Sequence, residues 1–304
     1  MTPTELFLQQ LVNGLTIGSV YALIALGYTM VYGIIQLINF AHGEVFMAGA
    51  YVGLALFLAC GVAGAGSASV PLLLASLVLG AAGCSALGLA IERIAYRPLR
   101  QAPKLSILIT AIGVSFFLQN AVMLIFGAQD RYVPSVVPAA RWQVMGVVLT
   151  PLQALIFAVT GFTLAGLQGM VYHTPLGRFM RAVAQDPLAA KLMGVSVNRV
   201  VAATFALGSA LAGMGGVLFG MYYSTINFHD GYLTGLKAFT AAVLGGIGNL
   251  PGAMLGGLLL GLLESFSAGY LSTQWKNVVA FAVLVLVLLV RPRGLLGERV
   301  AEKV

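Results

Sequence analysis

The sequence predicts an all-α polytopic membrane protein with about eight transmembrane helices plus a short broken, re-entrant segment. Three observations carry that prediction. Sixty per cent of the 304 residues are hydrophobic and 8% are charged, whereas soluble domains carry roughly 25% charged residues. Mean hydropathy is +0.97. The apolar residues also come in long blocks, 11–35, 70–91, 105–126, 200–221 and 278–290, that are nearly free of ionisable side chains. A helix needs about 20 apolar residues to cross a ~30 Å hydrocarbon core, and only helices or closed barrels satisfy every backbone group there. A barrel alternates apolar and polar residues over segments of ~10. These blocks do not alternate, so helices are predicted.

The basic residues orient the spans. No Lys or Arg precedes Arg93; later ones cluster at Arg93/Arg97/Arg100/Lys104, Arg178/Arg181/Lys191/Arg199 and Arg291/Arg293/Arg299/Lys303. Short loops rich in Lys and Arg stay in the cytoplasm, so the three clusters mark one side. The net charge of +7 is thus a topology signal. No basic stripe interleaved with aromatics points to nucleic acid.

With those loops inside, the elements follow in order. A first helix over about 12–35 leads to the polar stretch 36–44. A second over 43–60 ends in the uncharged Gly/Ser/Ala-rich segment 61–69, an external loop. A third over 70–92 delivers the first basic cluster, and a fourth over 105–127 exits to 129–150. The fifth, about 150–172, returns to the second cluster, and the sixth, 200–222, leaves again. Residues 237–248 are apolar but too few to span, and end in Gly245-Gly246-Ile247-Gly248-Asn249-Leu250-Pro251-Gly252. One unbroken helix over 237–268 would put the basic C-terminus outside. A short segment, a turn at 249–252 and a further helix to about 269 put it inside, and this is the preferred reading. The count is eight full spans plus a short one, with an external N-terminus, in one transmembrane domain over 1–304. Small residues four apart, such as Gly14/Gly18 and Gly257/Gly261, permit close helix approach in a compact bundle or a dimer interface.

Several function classes have no residues to support them. Cys60 and Cys84 suggest neither a disulfide framework nor a metal site. The first ionisable residue is Glu5, so the basic start of a signal peptide is missing and the N-terminal helix reads as a retained span. There is no nucleophile–base constellation and no phosphate-binding Gly-x-x-x-x-Gly-Lys-[Ser/Thr] run.

Three segments are candidates for function. In the longest basic loop, Thr174-Pro175 and Asp186-Pro187 each pair an N-cap with a first-turn proline, and Gly194 supplies a C-terminal stop. Two short helices outside the membrane are predicted, with Leu188, Ala189, Ala190, Leu192 and Met193 as a small, partly apolar surface between basic residues. That surface suits docking into a groove of a partner. The second segment is Asn39-Phe40-Ala41-His42-Gly43-Glu44. Ionisable residues at membrane depth mark a pathway or a buried pair, while in the headgroup region Glu and His cost little; both placements are open, as are a substrate path and a polar knot capping two helices. His42 and Glu44 lack further ligands for a metal. The third is Glu264, which is neutralised by a neighbour, faces water, or sits near the external end. Glu44 and Glu264 are also the carboxylates that an ion-coupled secondary transporter would need.

Taken together, Asn13-Gly14-Leu15, Gly18-Ser19-Val20-Tyr21-Ala22-Leu23-Ile24-Ala25-Leu26-Gly27, Ile38 through Glu44, Arg181-Ala182-Val183-Ala184-Gln185-Asp186-Pro187, Ala241 through Ala253, and Arg291-Pro292-Arg293-Gly294-Leu295 closely resemble the LivH-type permease of branched-chain amino-acid ABC importers. The resemblance runs in order over nearly the whole chain. It implies the ABC importer permease fold, and a subunit that moves branched-chain or related amino acids across the bacterial inner membrane without being an enzyme. The implied partners are a second permease (LivM-like, or another copy), two cytoplasmic ATPases that bind the ATP and Mg, and a periplasmic binding protein. Members of the family also serve urea and short-chain amides. The implied coupling region is 173–199, with Arg178, Arg181, Ala182, Asp186, Pro187, Ala190 and Gly194; Asn39, His42 and Glu44 are the expected residues of a translocation path.

Overall fold

The computed structural model describes residues 2–36, 38–62, 69–138, 140–144, 146–291 and 293–297. Residues 63–68 of the expected outer loop, and Arg299 and Lys303 of the third basic cluster, lie outside the described residues.

The chain begins with α1 (Pro3–Ile35), opened by a capping box between Thr2 and Glu5, then α2 (His42–Ala59) and α3 (Val70–Ile91). One wider turn, Glu92–Tyr96, extends α3, and α4 follows (Lys104–Phe126). Between α4 and α5 (Pro151–His173) lie β1 (Arg131–Tyr132) and the hairpin β2 (Trp142–Val144) with β3 (Val147–Leu149). Two short helices come next, α6 (Pro175–Gln185) and α7 (Pro187–Leu192), then α8 (Val197–Tyr223) and β4 (Thr225–Ile226), which pairs antiparallel with β1. The chain ends with α9 (Asp230–Gly245), α10 (Leu250–Tyr270) and α11 (Lys276–Val290). Among the described residues, eight helical stretches are long and apolar enough to cross a membrane: α1, α2, α3 with its extension to Tyr96, α4, α5, α8, α10, and Thr273–Val290, which is α11 with the tight turn before it. With α9 as the short segment, that matches the count read from the apolar blocks.

Helices α1, α2, α8, α9 and α10 form the centre, because their small residues let backbones touch. A Cβ on Gly18 would stand 2.8 Å from the Leu258 Cα of α10, and one on Gly49 only 2.5 Å from the Gly213 Cα of α8. Without a hydrophobic force between helices in lipid, such close van der Waals contact does the packing. The four-apart small residues therefore serve the bundle itself. Around this centre α3, α4, α5 and α11 turn apolar side chains such as Leu124, Phe162 and Leu289 outward.

The loops holding the first two basic clusters lie on one face, where Arg100 donates to Asn198 across 2.7 Å. The C-terminal stretch meets the same face: Leu295 and Leu296 donate to the carbonyls of Leu244 and Gly245. This is the basic face. The opposite face carries the β1–β4 pair and the hairpin.

Three boundaries differ from the sequence reading. Helix α1 starts at Pro3, well before the expected start near residue 12, because the Thr2–Glu5 capping box and Pro3 open the helix ahead of the apolar block. Helix α9 starts at Asp230, seven residues before Lys237, because the polar residues Asp230 and Lys237 hide an apolar face from a hydropathy count. The break falls at 246–249 and not at 249–252: Gly246 and Gly248 have φ of +106° and +96°, which favour glycine, and Asn249 caps α10 by accepting from Gly252 at 2.9 Å.

Candidate functional site

On the basic face, α6 and α7 form a firmly seated foot. Thr174 Oγ1 accepts from Gly177 N at 3.2 Å, and Asp186 Oδ1 accepts from Leu188 N and Ala189 N at 2.8 and 3.0 Å. These caps satisfy orphan first-turn donors. Gly194 ends the element at φ +85°. Met180, Val183 and Ala190 pack into one apolar cluster with Leu26 and Met30 of α1, Leu167 of α5 and Val200 of α8. Leu188, Leu192 and Met193 are left 68%, 81% and 85% exposed.

This placement sorts the expected coupling residues. Ala190 is 5% exposed and faces inward, so it seats the foot and does not belong to the outer surface. Ala182 is half-buried. Asp186 and Pro187 build the second helix start, and Gly194 its stop. Arg178 and Arg181 are exposed; Arg181 donates to the Val171 carbonyl and sits over the Tyr172 ring at 5.4 Å.

The second site lies within the bundle. His42 packs edge-on to Tyr28 at 4.6 Å between ring centroids. A Cβ on Gly27 would come within 2.4 Å of His42 Nε2. Gly27 stands eight residues before the end of α1 at Ile35, about 12 Å along the axis at 1.5 Å per residue. Residues 36–41 thus turn back into the protein, and α2 starts inside the bundle. Of the two placements left open by the sequence, the structure shows depth. Asn39 holds the turn, its Oδ1 accepting from Tyr96 Oη at 2.8 Å and from Ala41 N at 3.1 Å.

Here the first turns of α2 and α9 meet. Gly43 lies so close to α9 that a Cβ there would stand 2.3 Å from the Gly231 carbonyl and 2.8 Å from the Gly235 Cα. Glu44 Oε1 accepts from Ser115 Oγ of α4 at 3.1 Å. Its Oε2, beside Gly231, has no hydrogen-bond partner among the described residues, and neither ring nitrogen of His42 completes a bond of normal geometry, the Ile24 carbonyl being the neighbouring acceptor. A carboxylate beside two helix N-termini is favoured by their dipoles. Buried polar atoms without a partner are rare in folded proteins. No group of three metal ligands occurs among the described residues.

The third candidate, Glu264, is neutralised by a neighbour. Lys237 Nζ of α9 stands 2.7 Å from its Oε1, Tyr21 Oη of α1 donates to Oε2 at 2.7 Å, and Lys276 Nζ of α11 lies at 3.6 Å. Lys237 was missed as its partner. The signal was present: one lysine and one glutamate in apolar helices on either side of a glycine break, where antiparallel packing brings them level.

The comparisons with known proteins agree with this architecture. Residues 10–288 match the family described as branched-chain amino acid transport system / permease component. The chain is 52% identical to the high-affinity branched-chain amino acid transport system permease protein BraD of Pseudomonas aeruginosa, over 98% of both chains. It is 49% identical to the permease protein LivH of Escherichia coli K12, again over 98% of each. It is also 30% identical to the ribose import permease protein RbsC of the same strain, over 40% of each chain. A multi-pass bundle of this kind, matched along nearly its whole length, belongs to the branched-chain amino acid transport system permease component family.

Proposed function

We propose that this chain is the permease subunit of an ATP-driven importer for branched-chain amino acids, set in a bacterial inner membrane with its basic face in the cytoplasm. The observation that carries the reading is the α6–α7 foot: two capped helices, each too short to cross a membrane, presenting Leu188, Leu192 and Met193 beyond an apolar base. Such a surface fits a groove on a partner. Two ATPase subunits on that side would hold the ATP and Mg, for which this chain has no phosphate-binding loop. A second permease, either a longer relative or another copy, completes the membrane part, and a periplasmic binding protein delivers substrate. Closure of the ATPases pushes the foot, and Met180, Val183 and Ala190 pass the movement to α1, α5 and α8. The path runs past Asn39, His42 and Glu44, where α2 and α9 meet. The substrate assignment is supported by the relatives at 52% and 49% identity.

The test is uptake of radiolabelled leucine, isoleucine and valine into proteoliposomes holding the assembled complex and its binding protein. Uptake that requires ATP inside and survives collapse of ion gradients is expected. Uptake that ignores ATP and follows a proton or sodium gradient would reassign the chain to ion-coupled transport, and uptake of urea or amides alone would reassign its substrate.

A further inference from the structure

A cleft of about 890 Å³ opens on the face opposite the basic one, between the start of α1, the β2–β3 hairpin, the start of α5 and the end of α8. That volume falls in the range of small-molecule sites, about 300–1,000 Å³. Its walls are of two kinds. Val137, Leu152 and Met221 are apolar; Asn13, Arg141 and Gln153 are polar.

The polar wall is preorganised. Gln9 is clamped to the hairpin, its Oε1 accepting from Val148 N at 2.9 Å and its Nε2 donating to Val148 O at 3.1 Å. Gln153 Oε1 accepts from Thr150 N at 2.9 Å. Both amides also donate to the Oδ1 of Asn13, at 3.2 and 3.4 Å. That fixes the flip of Asn13, and its Nδ2 donates to no described residue. Arg141 forms no ion pair among the described residues. No carboxylate lines the cleft among the described residues; Glu5, which packs against Gly146 of the hairpin, is engaged with Thr2 N at 2.8 Å. A guanidinium and a fixed amide donor, facing an apolar wall, suit an anion with an aliphatic tail, since Arg pairs with carboxylates in a two-pronged geometry.

We propose that this cleft is an outer subsite for the carboxylate of an aliphatic α-amino acid, with Arg141 and Asn13 holding the carboxylate and Val137, Leu152 and Met221 receiving the side chain. The proposal rests on the amino-acid reading of function. It adds a station on the outer face, separate from the α2–α9 junction, where a released substrate is held by its charge before moving inward. A neutral amide would gain little from the guanidinium.

The experiment uses the assembled complex in nanodiscs, carrying Cys60→Ser to remove the exposed native thiol and Val137→Cys as a probe of cleft access. Maleimide labelling is timed with leucine-loaded binding protein, with empty binding protein, and with L-leucinol, which lacks the carboxylate. Loaded binding protein should slow labelling, and leucinol should not. Arg141→Ala should raise the leucine concentration for half-protection about tenfold or more, as expected for loss of a charge-assisted hydrogen bond. Arg141→Lys should raise it less, and Asn13→Ala should also raise it. Equal protection by leucinol overturns the subsite, as does full protection by empty binding protein, which would make the cleft a docking surface. Protection unchanged by Arg141→Ala and Asn13→Ala overturns it as well. Leucine uptake by the same complexes, reconstituted into proteoliposomes, is measured in parallel. No uptake by the unsubstituted complex overturns the amino-acid reading and the subsite with it, whereas normal uptake without carboxylate-dependent protection overturns the subsite alone.

Discussion

Lys237 Nζ lies 2.7 Å from Glu264 Oε1, joining the short helix α9 to α10 at a depth where both side chains are almost wholly buried. Charges there are costly unless paired, and removing one partner of a buried pair costs roughly 3–5 kcal/mol because the other is stranded. Glu264→Gln leaves Lys237 unpaired and should cost stability in that range. Lys237→Met should cost less, since Lys276 remains 3.6 Å from the carboxylate. The double variant should recover part of the loss. Thermal unfolding of the purified protein checks this; equal, additive losses would show that the pair is not coupled.

At the junction of α2 and α9, Glu44 accepts one bond from Ser115, and its other oxygen has no partner among the described residues. Glu44→Gln keeps the shape and the bond from Ser115 but removes the charge beside both helix N-termini. Leucine uptake should fall about tenfold, as for loss of a charged contact, while the melting temperature moves by only a few degrees. A large drop in melting temperature with uptake per folded complex unchanged would make Glu44 a structural knot and not part of the path.

The C-terminal stretch is bound to the α9–α10 turn. Asn249 caps α10 through Gly252 and also donates from Nδ2 to the Leu296 carbonyl at 3.0 Å. Asn249→Ala should destabilise by about 1–2 kcal/mol, the loss of a cap and one hydrogen bond. It should also increase amide exchange at Gly252 and Leu296. Exchange confined to Gly252 would show that the C-terminal contact is independent of the cap.

Much of this architecture was legible in the residues. Five long apolar blocks, with the basic loops held on one side, led to the eight spans, because lipid offers the backbone no other partners. Thr174-Pro175, Asp186-Pro187 and Gly194 marked the foot, because capping is local chemistry. The depth of His42 was not legible: residues 36–44 are polar and join two spans, and only the close fit against Gly27 shows that they fold inward. The pairing of Lys237 with Glu264, residues 27 apart in sequence, was legible only as two opposite charges flanking a glycine break; their contact depends on how α9 and α10 pack across the turn. The inward orientation of Ala190 likewise depends on the cluster with Leu26 and Met180, which no stretch of six residues encodes. The Arg141 cleft is assembled from four separate segments.

The proposed coupling of α6 and α7 to an ATP-hydrolysing partner is read out by the ratio of leucine transported to ATP hydrolysed in proteoliposomes. Leu192→Asp and Met193→Asp place charges on side chains that are 81% and 85% exposed, so the permease itself should fold normally. The ratio should fall by about tenfold or more, as for a truncated interface anchor, with melting temperature unchanged. A ratio equal to that of the unsubstituted complex in both variants would contradict the coupling.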